Sequence, residues 1–425
     1  MIYAILIIGL VIGAPIAIAI LAALLGFMAT NDAPYAIRIV ATEVFRSLNS
    51  FPLLAIPLFV LAGELMNESG ITGRIIAFAN VIVGRMRAGL AMVNIWASVI
   101  FAGLSGSAVA DTSAIGRVFI PEMEKHGYDR SFAAALTAAS SVIGPIIPPS
   151  IPVIIYALIV SGVSVPALFL AGVIPGLLLA VFLSVYVMLT VKVQDPLQGA
   201  DTLAATPPGT ALRQGILPLL MPVFVVGSIL MGIVTPTEAA AFAVAYALVL
   251  GLFVYRRITL SALPRLFADA MRDSSVILII IAAVGAANWL LTYSRVPNML
   301  TDWVLGNVSG QTAFLLAVIV LFLFVGLFLE GIAAMLVLVP ILHPIAVSLG
   351  VDPIHFGILV IFNLMIGLIT PPLGLCLFVA EGVANVGMAR LTRAILPFFL
   401  VEVLVLLILT FVPATVTWLP SVLGY

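Results

Sequence analysis

The residues best placed to do chemistry form one short run, Ser105-Gly106-Ser107-Ala108-Val109-Ala110-Asp111-Thr112. It offers three hydroxyls, one carboxylate and a glycine that lets other groups approach the backbone closely. Oxygen donors at this density suit binding rather than bond making. The chain has no H-E-x-x-H metal motif, no nucleophile beside a base, and no G-x-x-x-x-G-K-[ST] phosphate loop. His126, His343 and His355 are scattered without metal-ligand spacing, and the single Cys376 reads as a small buried hydrophobe. No enzymatic activity is expected.

Two further runs stand out because they match each other. Gly144-Pro145-Ile146-Ile147-Pro148-Pro149-Ser150 is echoed by Gly367-Leu368-Ile369-Thr370-Pro371-Pro372-Leu373, 223 residues later. Phe101-Ala102-Gly103-Leu104-Ser105-Gly106 is echoed by Gly326-Leu327-Phe328-Leu329-Glu330-Gly331 at an offset of 225. A doubled proline inside an apolar helix removes hydrogen bonds and breaks the helix. At bilayer depth the freed carbonyls and amides must be met by protein, water or ligand. Breaks at matching positions of two halves point to a transport site.

The elements around these runs have to live in lipid. Of 425 residues, 64% are hydrophobic and 8% charged, against roughly 25% charged in soluble domains. The net charge of −1 argues against nucleic acid, which needs a basic face. The segment from Ile2 to Met28 is too long for a signal-peptide core and reads as a retained span. The arm Val93 to Leu104 has 12 residues, about 18 Å as a helix, too short for a ~30 Å hydrocarbon core. With its polar tip and a return arm through Ile120 it predicts a re-entrant hairpin. Thr312 to Leu329, a tip at Glu330-Gly331 and a return arm to Leu342 predict a second one. The amphipathic stretch Pro34 to Leu48 resembles Ile258 to Met271, and the apolar run from Phe51 resembles that from Ser275.

The expected fold class is thus an all-α polytopic membrane protein with inverted structural repeats, two re-entrant helical hairpins and two broken transmembrane helices. The first repeat is expected at 1–193 (scaffold 1–89, hairpin and broken helix 90–162) and a linker with a linking span at 194–235. The second repeat is expected at 236–425 (scaffold 236–310, hairpin and broken helix 311–386). With the first hairpin opening to the cytoplasm, only Arg38, Arg46 and Arg295 fall outside and Arg117 falls in the hairpin. All other basic residues are then cytoplasmic, in line with the positive-inside rule. Whether Ile71 to Met86 spans or lies on the surface stays open, and with it the side of the N-terminus. Arg117 is expected to pair with Glu122 or to snorkel.

Ser105 to Gly116 with Ile120-Pro121-Glu122-Met123, Ile147-Pro148-Pro149-Ser150, Thr235-Pro236-Thr237-Glu238-Ala239-Ala240 and Thr370-Pro371-Pro372-Leu373-Gly374 together resemble the M subunits of TRAP (tripartite ATP-independent periplasmic) transporters. The resemblance covers nearly the whole chain. It implies an elevator-type secondary transporter in the bacterial inner membrane, coupled to Na⁺, with a small Q membrane subunit and a periplasmic substrate-binding protein that delivers an organic acid. A stand-alone Na⁺- or H⁺-coupled anion symporter of the related divalent-anion type is the alternative. In that related family a sodium ion lies between hairpin tip and broken helix. The resemblance therefore implies an ion site among Ser105, Gly106, Ser107, Asp111, Gly144, Pro145, Gly331 and Thr370. The substrate is expected near Ser107, Thr112, Ser150, Thr370 and Gly374. Asp111 either ligates Na⁺ or caps the return arm. Glu330 departs from the hydroxyl-rich first tip and is open to a role in proton-linked steps.

Overall fold

The structure is a computed structural model that describes residues 8–9, 14–30, 36–160, 162–191, 207–308, 310–327, 329–371 and 373–425. Most of the expected linker, residues 194–206, lies outside the described residues, as do Phe328 and Pro372. Every regular element among the described residues is helical, and seven helices are long and apolar enough to cross a membrane. The chain is a multi-pass membrane protein.

The first half runs through α1 (Ile16–Thr30), α2 (Ala36–Leu48), α3 (Ala55–Glu68) and α4 (Ile71–Val83). A hairpin follows, α5 (Gly89–Ser105) and α6 (Ala108–Lys125), then a broken pair, α7 (Arg130–Ser141) and α8 (Ile151–Ile159), and the long α9 (Val165–Thr190). The linking helix α10 (Pro208–Leu230) leads to α11 (Pro236–Val249), α12 (Leu263–Tyr293) and α13 (Val296–Asn307). The second hairpin is α14 (Gly310–Val325) and α15 (Gly331–Ser348), the second broken pair α16 (Pro353–Gly367) and α17 (Leu375–Ala384), and the chain closes with α18 (Met388–Phe411) and α19 (Ala414–Val422).

Local chemistry explains these boundaries. α5 stops where Gly106 turns left-handed, at φ 60°, and α6 starts at Ser107, whose hydroxyl accepts from the Ala110 amide at 3.3 Å. Asp129 caps α7 through the Phe132 amide (3.0 Å), and Asp352 caps α16 through the amides of Ile354 and His355 (2.8 and 2.9 Å). Ser150 caps α8 at Val153. The Thr235-Pro236-Thr237-Glu238 motif is a capping box on α11, with Glu238 Oε2 accepting from the Thr235 amide at 2.7 Å.

Three expectations need correction. The first hairpin arm has 17 residues rather than 12, about 25 Å, because the apolar stretch Gly89 to Met92 joins the helix in full burial. The return arm runs to Lys125 with Pro121 inside it, and Glu122 pairs with Lys125 at 3.2 Å rather than with Arg117. In the second half the amphipathic stretch and the following apolar run are one helix of 31 residues, α12, starting at Leu263. Their counterparts α2 and α3 are separate because Pro52 interrupts the first half, whereas Arg272-Asp273-Ser274-Ser275 holds no breaker. Residues 71–83 form the helix α4, shorter than the candidate spans.

Two sets of packed elements stand out, joined to each other where α5 packs on α3 and α4 and where α15 packs on α12. α1, α2 and α3 pack on α12, α3 packs on α11, and α4 on α10. On the other side α6 packs on α7 and α17, α7 on α18, and α15 on α8 and α16. The return arm of each hairpin thus rests on the second part of the opposite broken helix, bracing the two sites against each other.

Candidate functional site

The first hairpin tip sits directly on the first break. A Cβ on Gly106 would lie 3.3 Å from the Pro149 carbonyl oxygen. Behind the tip Asp111 is fully buried, and one of its oxygens, Oδ1, accepts from the Ser105 hydroxyl. The other, Oδ2, has no hydrogen-bond partner. It faces Gly144 at the opening of the break, where a Cβ would stand 2.5 Å from it. Glycine is required there because any side chain would displace the carboxylate. Farther along, Gly172 of α9 lies against Ile146, so close that a Cβ would run into the Ile146 carbonyl. That glycine lets the unwound segment lie against a spanning helix.

The other expected residues of the first half divide into two groups. Ser105, Gly106, Ser107 and Pro145 line a cavity of about 720 Å³. Thr112 and Ser150 stay behind its wall: the Thr112 hydroxyl donates to Ala108 O at 2.7 Å, and the Ser150 hydroxyl to Pro145 O. The second half contributes to the same cavity through Glu330, Ile332, Leu368 and Leu375. Gly331 begins α15 against Leu364, Gly374 immediately precedes α17, and Thr370 is buried with its hydroxyl donating to Ile366 O at 2.8 Å. Both hairpin tips and both breaks therefore converge on one space.

Electrostatics of this space are one-sided. Glu330 caps α15, its Oε2 accepting from the Ala333 amide at 3.0 Å, and faces the cavity together with Glu64 of α3 and Asp273 of α12. Among the described residues none that lines the cavity is Arg, Lys or His. The positive element is instead backbone. The first turns of α6, α8, α15 and α17 all reach the cavity wall, through Ala108, Ile151, Ile332 and Leu375. Helix N-termini present amide donors and a partial positive charge.

The donor set fits a dehydrated monovalent cation. Asp111 Oδ2 is an orphaned buried oxygen, with the Ser105 hydroxyl and the tip and break backbone beside it. An unpaired buried polar group costs about 1–3 kcal/mol, and more when charged, a cost that a bound cation would offset. Asp273 and Ser113, which also face the cavity, were not singled out from sequence. Asp273 sits where an amphipathic stretch was expected to end, and only the continuity of α12 turns it inward. Another fully buried acid, Glu402, lies midway along α18 with neither oxygen partnered. An acid inside a 24-residue apolar span is the sequence signal that could have found it.

Comparison with known proteins gives one answer. Residues 2–415 match the family described as the tripartite ATP-independent periplasmic transporter, DctM component. The chain is 39% identical over 417 residues to the sialic acid TRAP transporter large permease protein SiaM of Vibrio cholerae, covering 97% of this chain and 96% of that one. It is 35% identical over 437 residues to the C4-dicarboxylate TRAP transporter large permease protein DctM of Rhodobacter capsulatus, covering 100% and 99%. Among solved structures the YdaH transporter of Alcanivorax borkumensis superposes with a TM-score of 0.62 at 17% identity, covering 90% of this chain and 89% of that one. That likeness is one of fold.

Proposed function

Because this chain belongs to the DctM component family of tripartite ATP-independent periplasmic transporters, we propose that it is the large permease subunit of a Na⁺-coupled importer of an organic acid, working by an elevator movement. The substrate is a carboxylate of the sialic acid or C4-dicarboxylate kind, as in the names of its relatives. A small membrane subunit and a periplasmic binding protein complete the transporter, which sits in the bacterial inner membrane.

The observation that carries this reading is the acid-lined cavity where both tips and both breaks meet. An anion entering a space that already holds Glu64, Asp273 and Glu330 is repelled unless cations enter with it. Asp111 Oδ2, the Ser105 hydroxyl and the backbone of Gly106 and Gly144 hold Na⁺ in this account, and the ion fixes the tip against the break. Ser107 and the helix N-termini then receive the carboxylate. Loading lowers the net charge of the mobile group, α5 to α8 and α14 to α18, and so lowers the cost of moving it past hydrocarbon. The scaffold is α1 to α4 with α10 to α12, the helices that pack on one another on the other side.

The test is uptake into proteoliposomes holding this chain and its small subunit, with binding protein and an inward Na⁺ gradient each supplied or withheld. Uptake that needs both supports the proposal. Uptake without the binding protein makes the chain a stand-alone symporter, and uptake indifferent to Na⁺ removes the assigned ion.

A further inference from the structure

A second polar pocket, of about 580 Å³, opens on the scaffold far in sequence from the hairpin tips and is lined by Arg74, Gly209, Thr210, Arg213, Gln214 and Tyr255. Three helix ends build it: the first turn of α4, the first two turns of α10, and the end of α11. The last is shaped by a π-helical turn, Leu250–Val254, which carries Tyr255 under Arg74. The Arg74 guanidinium lies 3.7 Å from the Tyr255 ring centroid, and its Nη1 donates to Gly70 O at 2.8 Å. Arg257 converges on the same spot: a Cβ on Gly70 would lie 3.6 Å from Arg74 Nη1 and 3.8 Å from Arg257 Cγ. Among the described residues no carboxylate pairs with Arg74, Arg213 or Arg257.

Like charges gathered without a counter-ion repel one another, so the cluster calls for an anion. The surroundings say which kind. Arg213 lies in the opening turns of an apolar helix long enough to span, and the end of such a helix meets the lipid headgroups. Below it on the same helical face run Leu217, Leu220 and Phe224, of which Leu220 and Phe224 are exposed. Val249 and Phe253 continue a second exposed apolar stripe from the Tyr255 side. Guanidinium groups above and bare hydrocarbon below match a phosphate ester carrying acyl chains, not a free anion or a soluble partner.

We propose that the Arg74–Arg213 pocket binds the phosphate group of an anionic phospholipid, with acyl chains laid along α10 and the end of α11. Arg213 and Arg74 grip the phosphate, Thr210 and Gln214 hydrogen-bond the headgroup, and Arg257 adds long-range attraction. The pinned lipid fastens α4 to α10 and α11 and so stiffens the scaffold.

Native mass spectrometry of the purified full chain, titrated with phosphatidylglycerol, phosphatidylcholine or inorganic phosphate, tests this. Phosphatidylglycerol is expected to bind at least ~10-fold more tightly than phosphatidylcholine. Arg213→Gln should weaken it about fivefold and Arg74→Gln/Arg213→Gln about 30-fold, at about fivefold per arginine near a membrane surface. Arg393→Gln, an exposed arginine elsewhere, should change nothing. Wild-type phosphatidylglycerol binding by the variants, or equal binding of the two lipids, would overturn the proposal. So would inorganic phosphate competing at lipid concentrations, which would make the site one for free anions. If the double variant does not fold, Arg213→Gln decides alone, since that side chain is exposed and pairs with no acid in the structure.

Discussion

The two hairpin tips occupy matching places and are built from different chemistry. At the first, the turn residue is Gly106, the cap is the Ser107 hydroxyl, and a buried carboxylate behind them keeps one oxygen without a partner. At the second, the cap is itself a carboxylate, Glu330, whose Oε2 is used by the Ala333 amide while the side chain faces the cavity. The two halves share a backbone device, a hairpin arm meeting an unwound helix, and differ in the ligands it carries. In the proposed function the first tip holds the cation, and the second adds its charge to the cavity.

The largest effect should come from removing the orphaned carboxylate. Asp111→Asn is expected to lower Na⁺-driven uptake about 100-fold, the scale of losing one strong charged contact. Uptake measured beside Glu330→Gln sharpens the contrast, because an amide oxygen at position 330 can still cap α15. That variant should lose no more than about threefold and keep the Na⁺ dependence of the wild type. Between these lies Gly144→Ala, whose Cβ would collide with Asp111 Oδ2. It should raise the Na⁺ concentration needed for half-maximal uptake about tenfold while the chain stays folded. Equal losses from Asp111→Asn and Glu330→Gln would break the comparison.

The smallest effect concerns a place where the halves agree in chemistry. Asp129 and Asp352 cap the two broken helices and lie 223 residues apart, the spacing of the two breaks. Asp129→Ala should cost about 1 kcal/mol of stability, read as a lower unfolding temperature. The Ser131 hydroxyl foremost, with the Phe132 amide, holds the Asp129 carboxyl below its ordinary value. Its stabilisation is therefore present above the unfolded pKa of about 3.9 and lost as pH falls through the lower folded value. The gap between wild type and Asp129→Ala should close on acidification below about pH 3.9.

How legible this was depended on punctuation. The breaks at 142–150 and 368–374 and the tip at Gly106 were readable because Gly, Pro and Ser interrupt an otherwise apolar text. The lengths of α5 and α6 were not, since Gly89 to Met92 gives no periodic signal when every face of the helix is buried. Asp273 escaped notice for the reverse reason: no Gly or Pro between Arg272 and Ser275 announces a boundary, and none exists. For Asp111, sequence left capping and ion binding open. Its Oδ2 is unpaired and faces Gly144, the observation on which the proposed ion site is built.

Direct binding of radioactive sodium to the purified chain, wild type against Asp111→Asn and Glu330→Gln, tests the central claim without transport. The account predicts a saturable site in the wild type and in Glu330→Gln that is absent in Asp111→Asn. Binding that survives in Asp111→Asn but is lost in Glu330→Gln would contradict it and move the ion to the second tip.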